Sequence, residues 1–217
     1  MKSTDDPHAG GPVVRLGAPI ESASAVVIAI HGRGASPRDI LSLAQRLNRP
    51  DVAFLAPAAA GNSWYPYSFL TETTKNEPFL TSALRRISSL VSELEERDVP
   101  HERIVFLGFS QGACLSAEFV VRDARRWGGV VVLSGGLIGP PGTTWNGAGT
   151  LDDTPIFVGC SDVDAHIPKD RVEESVAVLA RMGGLVTSRF YTGMGHTVNE
   201  DELEHARHAI DAARADS

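Results

Sequence analysis

The sequence predicts an α/β protein in which a mainly parallel β-sheet carries helices on both faces. Short apolar, β-branched runs alternate along the chain with longer amphipathic segments, which is the pattern of repeated β–α–β units. Most of these apolar runs are continuous, as expected for strands that are covered on both faces. Such sheets bind ligands beyond the carboxyl ends of their strands, so functional residues are expected directly after each strand.

Seven segments have the composition and length of strands. The first, Val13–Leu16, is predicted to be an antiparallel edge strand. The others, all short and rich in β-branched or aromatic residues, are Ala25–Ile30, Val52–Leu55, Ile104–Leu107, Val130–Leu133, Pro155–Val158 and Val186–Tyr191. No internal repeat or second domain interrupts this series.

Five helices are predicted between and after these strands. They are expected to begin near Pro37, Pro78, Gln111, Pro168 and Asn199. Proline is favoured in the first turn of a helix, where its missing N–H costs nothing. The clearest helix has an apolar stripe at three- and four-residue steps, formed by Leu80, Leu84, Ile87, Val91 and Leu94. A stripe of this kind faces a core.

Length and composition indicate one globular domain. A chain of 217 residues with 42% hydrophobic and 22% charged residues can bury a full core. We therefore expect a flexible tail over residues 1–11 and a single domain over residues 12–217. The net charge of −7, without a run of Lys or Arg, argues against nucleic acid and anionic membranes as partners. The sequence does not determine the oligomeric state, and a homodimer is one possibility.

The sequence also predicts a cytoplasmic protein. No apolar run approaches the ~20 residues of a membrane span, and residues 1–11 lack the apolar core of a secretory signal. Cys114 and Cys160 fall in a predicted helix and a predicted core strand. We expect both to be buried free thiols in a reducing compartment.

The sequence Gly108-Phe-Ser-Gln-Gly112 stands between a predicted strand and a predicted helix. A Gly-x-Ser-x-Gly turn in this setting is typical of the nucleophile elbow of α/β-hydrolases. The turn is so tight that side chains beside the serine would collide, which explains a glycine two residues away on each side. Ser110 is therefore the candidate nucleophile, and an acid, a base and an oxyanion hole are expected after other strands.

A glycine-rich loop, His31-Gly-Arg-Gly34, follows the first long strand. Glycines let such a loop turn its N–H groups toward the nucleophile, as in the motifs that complete an oxyanion hole. The predicted donors are the backbone N–H groups of Arg33 and Gln111. His31 is an alternative base, but it precedes the serine, and we expect it to brace the loop.

The candidate acid follows the strand that ends at Val158. Asp162 and Asp164 both stand there, and Asp164 is favoured because Ile167-Pro168 begins a helix and anchors the loop. The other aspartate is expected to be solvated or to cap a turn. His166 is interpreted as a packing or surface residue.

His196, in Thr192-Gly-Met-Gly-His196 after the last strand, is the candidate base. From that loop one ring nitrogen can reach the serine hydroxyl and the other the aspartate. The remaining histidines, His8, His101, His205 and His208, are interpreted as surface residues. No metal site is predicted, because no His-x-x-x-His or Cys-x-x-Cys spacing occurs.

Aromatic residues in the loop after the second strand are candidates for a substrate pocket. Trp64, Tyr65 and Phe69 lie on no regular element and can either line an acyl or alcohol pocket or pack over the sheet edge. Met194, in the loop of His196, is placed in the same candidate pocket.

Four motifs together resemble the phospholipase/carboxylesterase family of small α/β-hydrolases. They are the Gly-Phe-Ser-Gln-Gly elbow, the His-Gly-x-Gly loop, the Asp-x-His-Ile-Pro loop and the Gly-Met-Gly-His loop, and the resemblance covers residues 13 to 212. It implies Ser110 as nucleophile, Asp164 as acid, His196 as base and Arg33 and Gln111 as oxyanion donors. Ala165 departs from the family, which usually has proline after the aspartate.

The expected function is hydrolysis of small or short-chain carboxylic esters through an acyl-enzyme, without a cofactor. The uncommitted segments are too short for a helical lid domain, so the site is expected to be open. The same three residues would also serve an acyl-thioesterase, a lysophospholipase or a lactone hydrolase, and only the pocket would differ. The alternative outside the enzymes is a catalytically silent binding protein with the same fold. This hypothesis predicts that one of the catalytic residues is missing.

Overall fold

The computed structural model describes residues 6–213 and contains the predicted alternation of strands and helices. The strands are β1 Val13–Gly17, β2 Val26–Ile30, β3 Ala53–Pro57, β4 Ile104–Phe109, β5 Gly129–Leu133, β6 Pro155–Ser161 and β7 Leu185–Tyr191. The α-helices are α1 Pro37–Arg46, α2 Phe79–Glu95, α3 Gln111–Arg122, α4 Lys169–Arg181 and α5 Glu200–Ala212. Each predicted strand and helix is confirmed, and no predicted end differs from the observed one by more than three residues.

The strands form one sheet in the order β1-β3-β2-β4-β5-β6-β7. The edge strand β1 is antiparallel to β3, as predicted, and the other neighbouring pairs are parallel. The carboxyl ends of β2, β3, β4 and β6 therefore meet at one edge of the sheet, together with the end of β7. The loops with the candidate functional residues follow these ends.

Two apolar layers cover the sheet. In β2, Val26 and Ile28 pack with apolar residues of α2, α3 and α4, whereas Val27 and Ala29 pack with those of α1 and α5. Successive side chains of a strand point to opposite faces, so a continuously apolar strand contributes to both layers. This explains why the buried strands of this chain do not alternate in polarity.

The segment expected to be a loose tail is packed where the structure describes it. The prediction that His8 lies on the surface is wrong, because the residue is fully buried. Its Nε2 lies 2.9 Å from the Trp64 carbonyl oxygen, and its Nδ1 accepts a 2.9 Å hydrogen bond from the Ala60 N–H. Burial of the ring is tolerated because both ring nitrogens are paired. Residues 1–5 of the predicted tail and residues 214–217 lie outside the described residues.

Cys114 and Cys160 are free and buried, as predicted. Burial raises the pKa of each thiol to about 12, which keeps both sulfurs protonated near neutral pH. Within residues 6–213 no helix is both long and apolar enough to cross a bilayer.

Candidate active site

Ser110 lies at the tight turn between β4 and α3. Its backbone adopts φ 55° and ψ −119°, a conformation that costs a residue with a Cβ roughly 1–3 kcal/mol. The two flanking glycines permit this turn. A Cβ on Gly112 would overlap the carbonyl oxygen of Ile30, and a Cβ on Gly108 would overlap the backbone of Gly112. The elbow predicted from the sequence is therefore present.

A continuous series of hydrogen bonds joins three loops at this edge of the sheet. The Ser110 Oγ lies 2.8 Å from the His196 Nε2, and the His196 Nδ1 lies 2.7 Å from the Asp164 Oδ2. With the proton on Nδ1, the ring donates to Asp164 and accepts from the Ser110 hydroxyl. This arrangement lets an imidazole take the hydroxyl proton while a carboxylate stabilises the charge that forms.

The side chain of Asp164 is fully buried, yet its carboxylate remains ionised. Burial opposes ionisation, but the hydrogen bond with His196 and those from the N–H groups of His166 and Ile167 outweigh it and lower the pKa of Asp164. The two N–H donors bond Oδ1, which leaves Oδ2 for the imidazole. Asp162 contacts neither catalytic candidate and instead accepts a 2.9 Å hydrogen bond from the Gly193 N–H.

The loop after β2 brings backbone N–H groups beside the serine. Gly32 lies so close that a Cβ there would be 3.3 Å from the Ser110 Cβ. The Ala35 N–H donates to the Gly32 carbonyl, and the Gly34 N–H donates to Asn62, which closes the loop into a turn. The N–H groups of Arg33 and Gln111 donate to no acceptor among residues 6–213, so both are available to an oxyanion.

His31 is buried and supports the glycine-rich loop. Its Nε2 accepts from the Ala59 N–H and its Nδ1 lies 2.8 Å from the Gly32 carbonyl oxygen. Burial lowers the pKa of His31, so the ring is neutral near pH 7. Both nitrogens are occupied by the backbone, which agrees with a bracing residue and not with the alternative base.

The loop after β3 is fixed to the elbow by the side chain of Gln111. The Gln111 Oε1 accepts from the Trp64 N–H at 2.8 Å, and its Nε2 donates to the Tyr65 carbonyl at 2.8 Å. The Arg33 guanidinium donates to the carbonyls of Pro66 and Tyr67 from the opposite side. The residues whose N–H groups face the site therefore also hold the pocket loop with their side chains.

Two of the four predicted pocket residues line the cavity beside Ser110. This cavity has a volume of about 530 Å³, and Tyr65 and Phe69 form part of its wall. Of the two alternatives for Trp64, the pocket is wrong, because the residue is fully buried and donates its indole N–H to the His31 carbonyl. It is also wrong for Met194, whose sulfur accepts a hydrogen bond from Asn199 outside the cavity.

The sequence analysis did not assign six of the residues that line this cavity to the site. They are Pro66, Tyr67, Ser68, Cys114, His166 and Ile167. Cys114 stands four residues after Ser110, one helical turn further along α3, and this spacing could have placed it below the nucleophile. His166 is exposed, as predicted, and its ring centroid lies 5.0 Å from that of His196.

The fold and the hydrogen-bonded series define an α/β-hydrolase of the serine type. A family model described as Phospholipase/Carboxylesterase matches residues 13–213. The chain therefore belongs to the phospholipase/carboxylesterase family and is an esterase-type hydrolase, as the four motifs predicted.

Individual relatives agree with this assignment. The acyl-protein thioesterase 1 of Debaryomyces hansenii is 27% identical and aligns over 92% of this chain and 96% of its own length. A crystal structure of a phospholipase/carboxylesterase from Dyadobacter fermentans is 40% identical, covers 93% of this chain and 96% of its own, and superposes with a TM-score of 0.88. The Bacillus cereus carboxylesterase, 20% identical over 97% of this chain and 100% of its own, shares the fold with a TM-score of 0.76.

Proposed function

We propose that this hydrolase cleaves carboxylic esters with small or short-chain acyl groups through an acyl-enzyme. The observation that carries the proposal is the unbroken series Ser110–His196–Asp164 at the wall of a cavity. In this mechanism Ser110 attacks the ester carbonyl and His196 takes its proton. His196 then donates that proton to the leaving alcohol, and Asp164 holds the ring and stabilises its positive charge.

The N–H groups of Arg33 and Gln111 are the proposed oxyanion donors. Neither has another acceptor in the described part of the chain, and both residues line the same cavity as Ser110. A donor aimed at a developing oxyanion contributes about 3 kcal/mol to transition-state stabilisation. After the alcohol departs, a water activated by His196 releases the acyl group. Every proton is moved by the protein's own residues, so the mechanism needs no cofactor.

The proposed acyl site is the 530 Å³ cavity, because the acyl group is bonded to Ser110 after the first step and Ser110 lines that cavity. Its walls combine the aromatic residues Tyr65 and Phe69 with the apolar Ile167. The space is within the range of small-ligand pockets. A small or short acyl group fits this space.

Acyl-thioester hydrolysis is the second candidate. The curated relatives at 26–31% identity carry the name acyl-protein thioesterase 1, which favours this activity over lysophospholipid or lactone hydrolysis. A thioester presents the same carbonyl to Ser110, and the same oxyanion donors would serve it. The leaving group is then a thiolate, which is less basic than an alkoxide and therefore depends less on a proton from His196.

A substrate panel tests the proposal. The values of kcat/KM are compared for p-nitrophenyl butyrate, butyryl and palmitoyl thioesters, a lysophospholipid and a lactone. Preference for the short ester supports the proposal, and preference for a thioester supports the second candidate. Ser110→Ala is expected to lower turnover of the preferred substrate by at least about 10³-fold. Full activity of a folded Ser110→Ala variant would contradict both.

A further inference from the structure

A second cavity of about 430 Å³ adjoins His196, which lines the first cavity as well. Its walls come from α1, from the glycine-rich loop and from the segment after His196. They are largely apolar, formed by Ala35, Ile40, Leu43, Phe109 and Val198. Neither Ser110 nor any residue of the loop after β3 contributes to it. The proposed function leaves this cavity without a role.

The two cavities share His196, and Gly32 of the second cavity lies close to Ser110 of the first. The imidazole of His196 is part of both walls. Gly32 lines the second cavity and approaches Ser110 so closely that a Cβ there would be 3.3 Å from the Ser110 Cβ. Because glycine has no side chain, nothing from this position separates the nucleophile from the second cavity.

The chemistry of the acylation step assigns the two cavities to different parts of a substrate. The acyl carbon forms its new bond to the Ser110 Oγ, so the acyl group must remain in the cavity that Ser110 lines. The bond that breaks joins the carbonyl carbon to the leaving oxygen, which receives its proton from His196. The substituent on that oxygen therefore starts beside His196, whose imidazole also lines the second cavity.

We propose that the second cavity binds the alcohol portion of the ester and favours an uncharged, apolar alcohol. This inference rests on the proposed acyl-enzyme mechanism. The two charged residues of the wall, Asp39 and Arg46, have opposite signs and are paired with other groups. Asp39 accepts from the Ser36 N–H and hydroxyl, and Arg46 forms an ion pair with Glu200 at 3.3 Å. The wall of the cavity therefore carries no net charge from these two residues and would not select a charged alcohol.

Two acetate esters test this assignment, because they form the same acetyl-enzyme and differ only in the alcohol. For methyl acetate and benzyl acetate, kcat/KM covers only the steps from binding of the ester to release of the alcohol, so hydrolysis of the common acetyl-enzyme does not affect it. The wild type is expected to prefer the benzyl ester by about tenfold or more. Leu43→Trp, which fills the cavity from α1, is expected to lower the benzyl-to-methyl ratio of kcat/KM by about tenfold. General damage to the active site would lower both values and leave the ratio unchanged.

Leu84→Trp is the matched control, since Leu84 is a half-buried leucine on α2 away from both cavities. It is expected to leave the ratio unchanged. Leu43→Ala is the second variant, used if the tryptophan prevents folding, and it should raise kcat/KM for the bulkier naphthylmethyl acetate relative to that for benzyl acetate. A wild type without benzyl preference, or a ratio that neither Leu43 variant changes, would overturn this inference. Failure of the wild type to cleave p-nitrophenyl acetate would instead contradict the proposed function.

Discussion

Asp164 differs from the nearby Asp162 in the hydrogen-bond partners of its two carboxylate oxygens. Oδ1 is held by two backbone N–H groups of its own loop, and Oδ2 is directed to His196. The Asp162 carboxylate instead accepts a hydrogen bond from the Gly193 N–H. The sequence placed both aspartates after the correct strand but did not fully decide which of them is the acid. The two residues lie close together in one loop, and their sequence positions do not show which side chain points toward His196.

Asp164→Asn is expected to lower kcat by about 10³–10⁴-fold while the fold is retained. The amide is nearly isosteric, but it favours the wrong imidazole tautomer and does not stabilise the imidazolium. Initial rates on p-nitrophenyl butyrate measure the effect. Asp162→Asn is the control and should remain within about threefold of the wild type. A larger loss for Asp162→Asn than for Asp164→Asn would contradict the assignment of the acid.

Glu202, at the start of α5, is a buried carboxylate next to the sheet. Its Oε2 accepts from the Asn199 N–H, and its Oε1 has no hydrogen-bond partner within the described structure. Gly159 of β6 lies against it, because a Cβ there would overlap the Glu202 Oε1. Burial, with a smaller contribution from Asp201, raises the pKa of Glu202 to about 7.

Glu202 is therefore expected to make the protein less stable as the pH rises. Below the ordinary pKa of 4.5 the carboxyl is protonated in both the folded and unfolded states. Between 4.5 and about 7 the unfolded state loses its proton first, so the free energy of unfolding falls with pH. Glu202→Gln should reduce this fall between pH 5 and 8 by up to about 3 kcal/mol. Urea unfolding measures it, and identical pH dependence in both proteins would contradict the prediction.

At the scale of elements, the active site depends on the close approach of α3 to β2. Gly112 permits it, since a Cβ there would overlap the Ile30 carbonyl oxygen. The apolar runs predicted the strands and helices, and the Gly-x-Ser-x-Gly pattern predicted the tight turn at Ser110. The strand ends were less predictable. β6 continues past Val158 to Ser161 because Cys160 and Ser161 pair with β7, and such pairing depends on register, which the apolar pattern does not encode.

Gly112→Ala is expected to lower the free energy of unfolding by about 2 kcal/mol or more, because the methyl group would force α3 away from β2. Displacement of Ser110 should also lower esterase activity. Thermal and urea unfolding provide the measurement. Gly195→Ala is the stability control, since a Cβ there would have no atom within 4 Å. Equal stability of the two variants would show that the close approach is not required.

At the scale of the whole molecule, distant segments converge on the loop that forms the pocket. His8 joins this loop to the start of the chain through Trp64 and Ala60. His8 also donates its own N–H to the Ser82 hydroxyl on α2. The pairs are separated by 52 to 74 residues. Local periodicity carries no signal for contacts at such separations, which is why the sequence predicts His8 on the surface and Trp64 in the pocket.

His8→Ala is expected to destabilise the protein by about 2 kcal/mol, because it leaves the half-buried Ala60 N–H without its acceptor and removes a buried ring packed against Trp64. Unfolding should remain a single cooperative transition, as expected of one domain. His208→Ala, at an exposed position on α5, is the control and should change stability by less than about 0.5 kcal/mol. No loss of stability in His8→Ala would contradict the packing of this segment.

The central claim is that Ser110 is a nucleophile activated by His196 and Asp164. Labelling with a fluorophosphonate, followed by intact-mass and peptide mass spectrometry, tests it most directly because the reagent reacts with activated serines. The expected result is one adduct per chain, located on Ser110, absent from Ser110→Ala and formed much more slowly in His196→Ala. A folded wild-type protein that stays unlabelled, or that carries its adduct on another residue, would contradict the account.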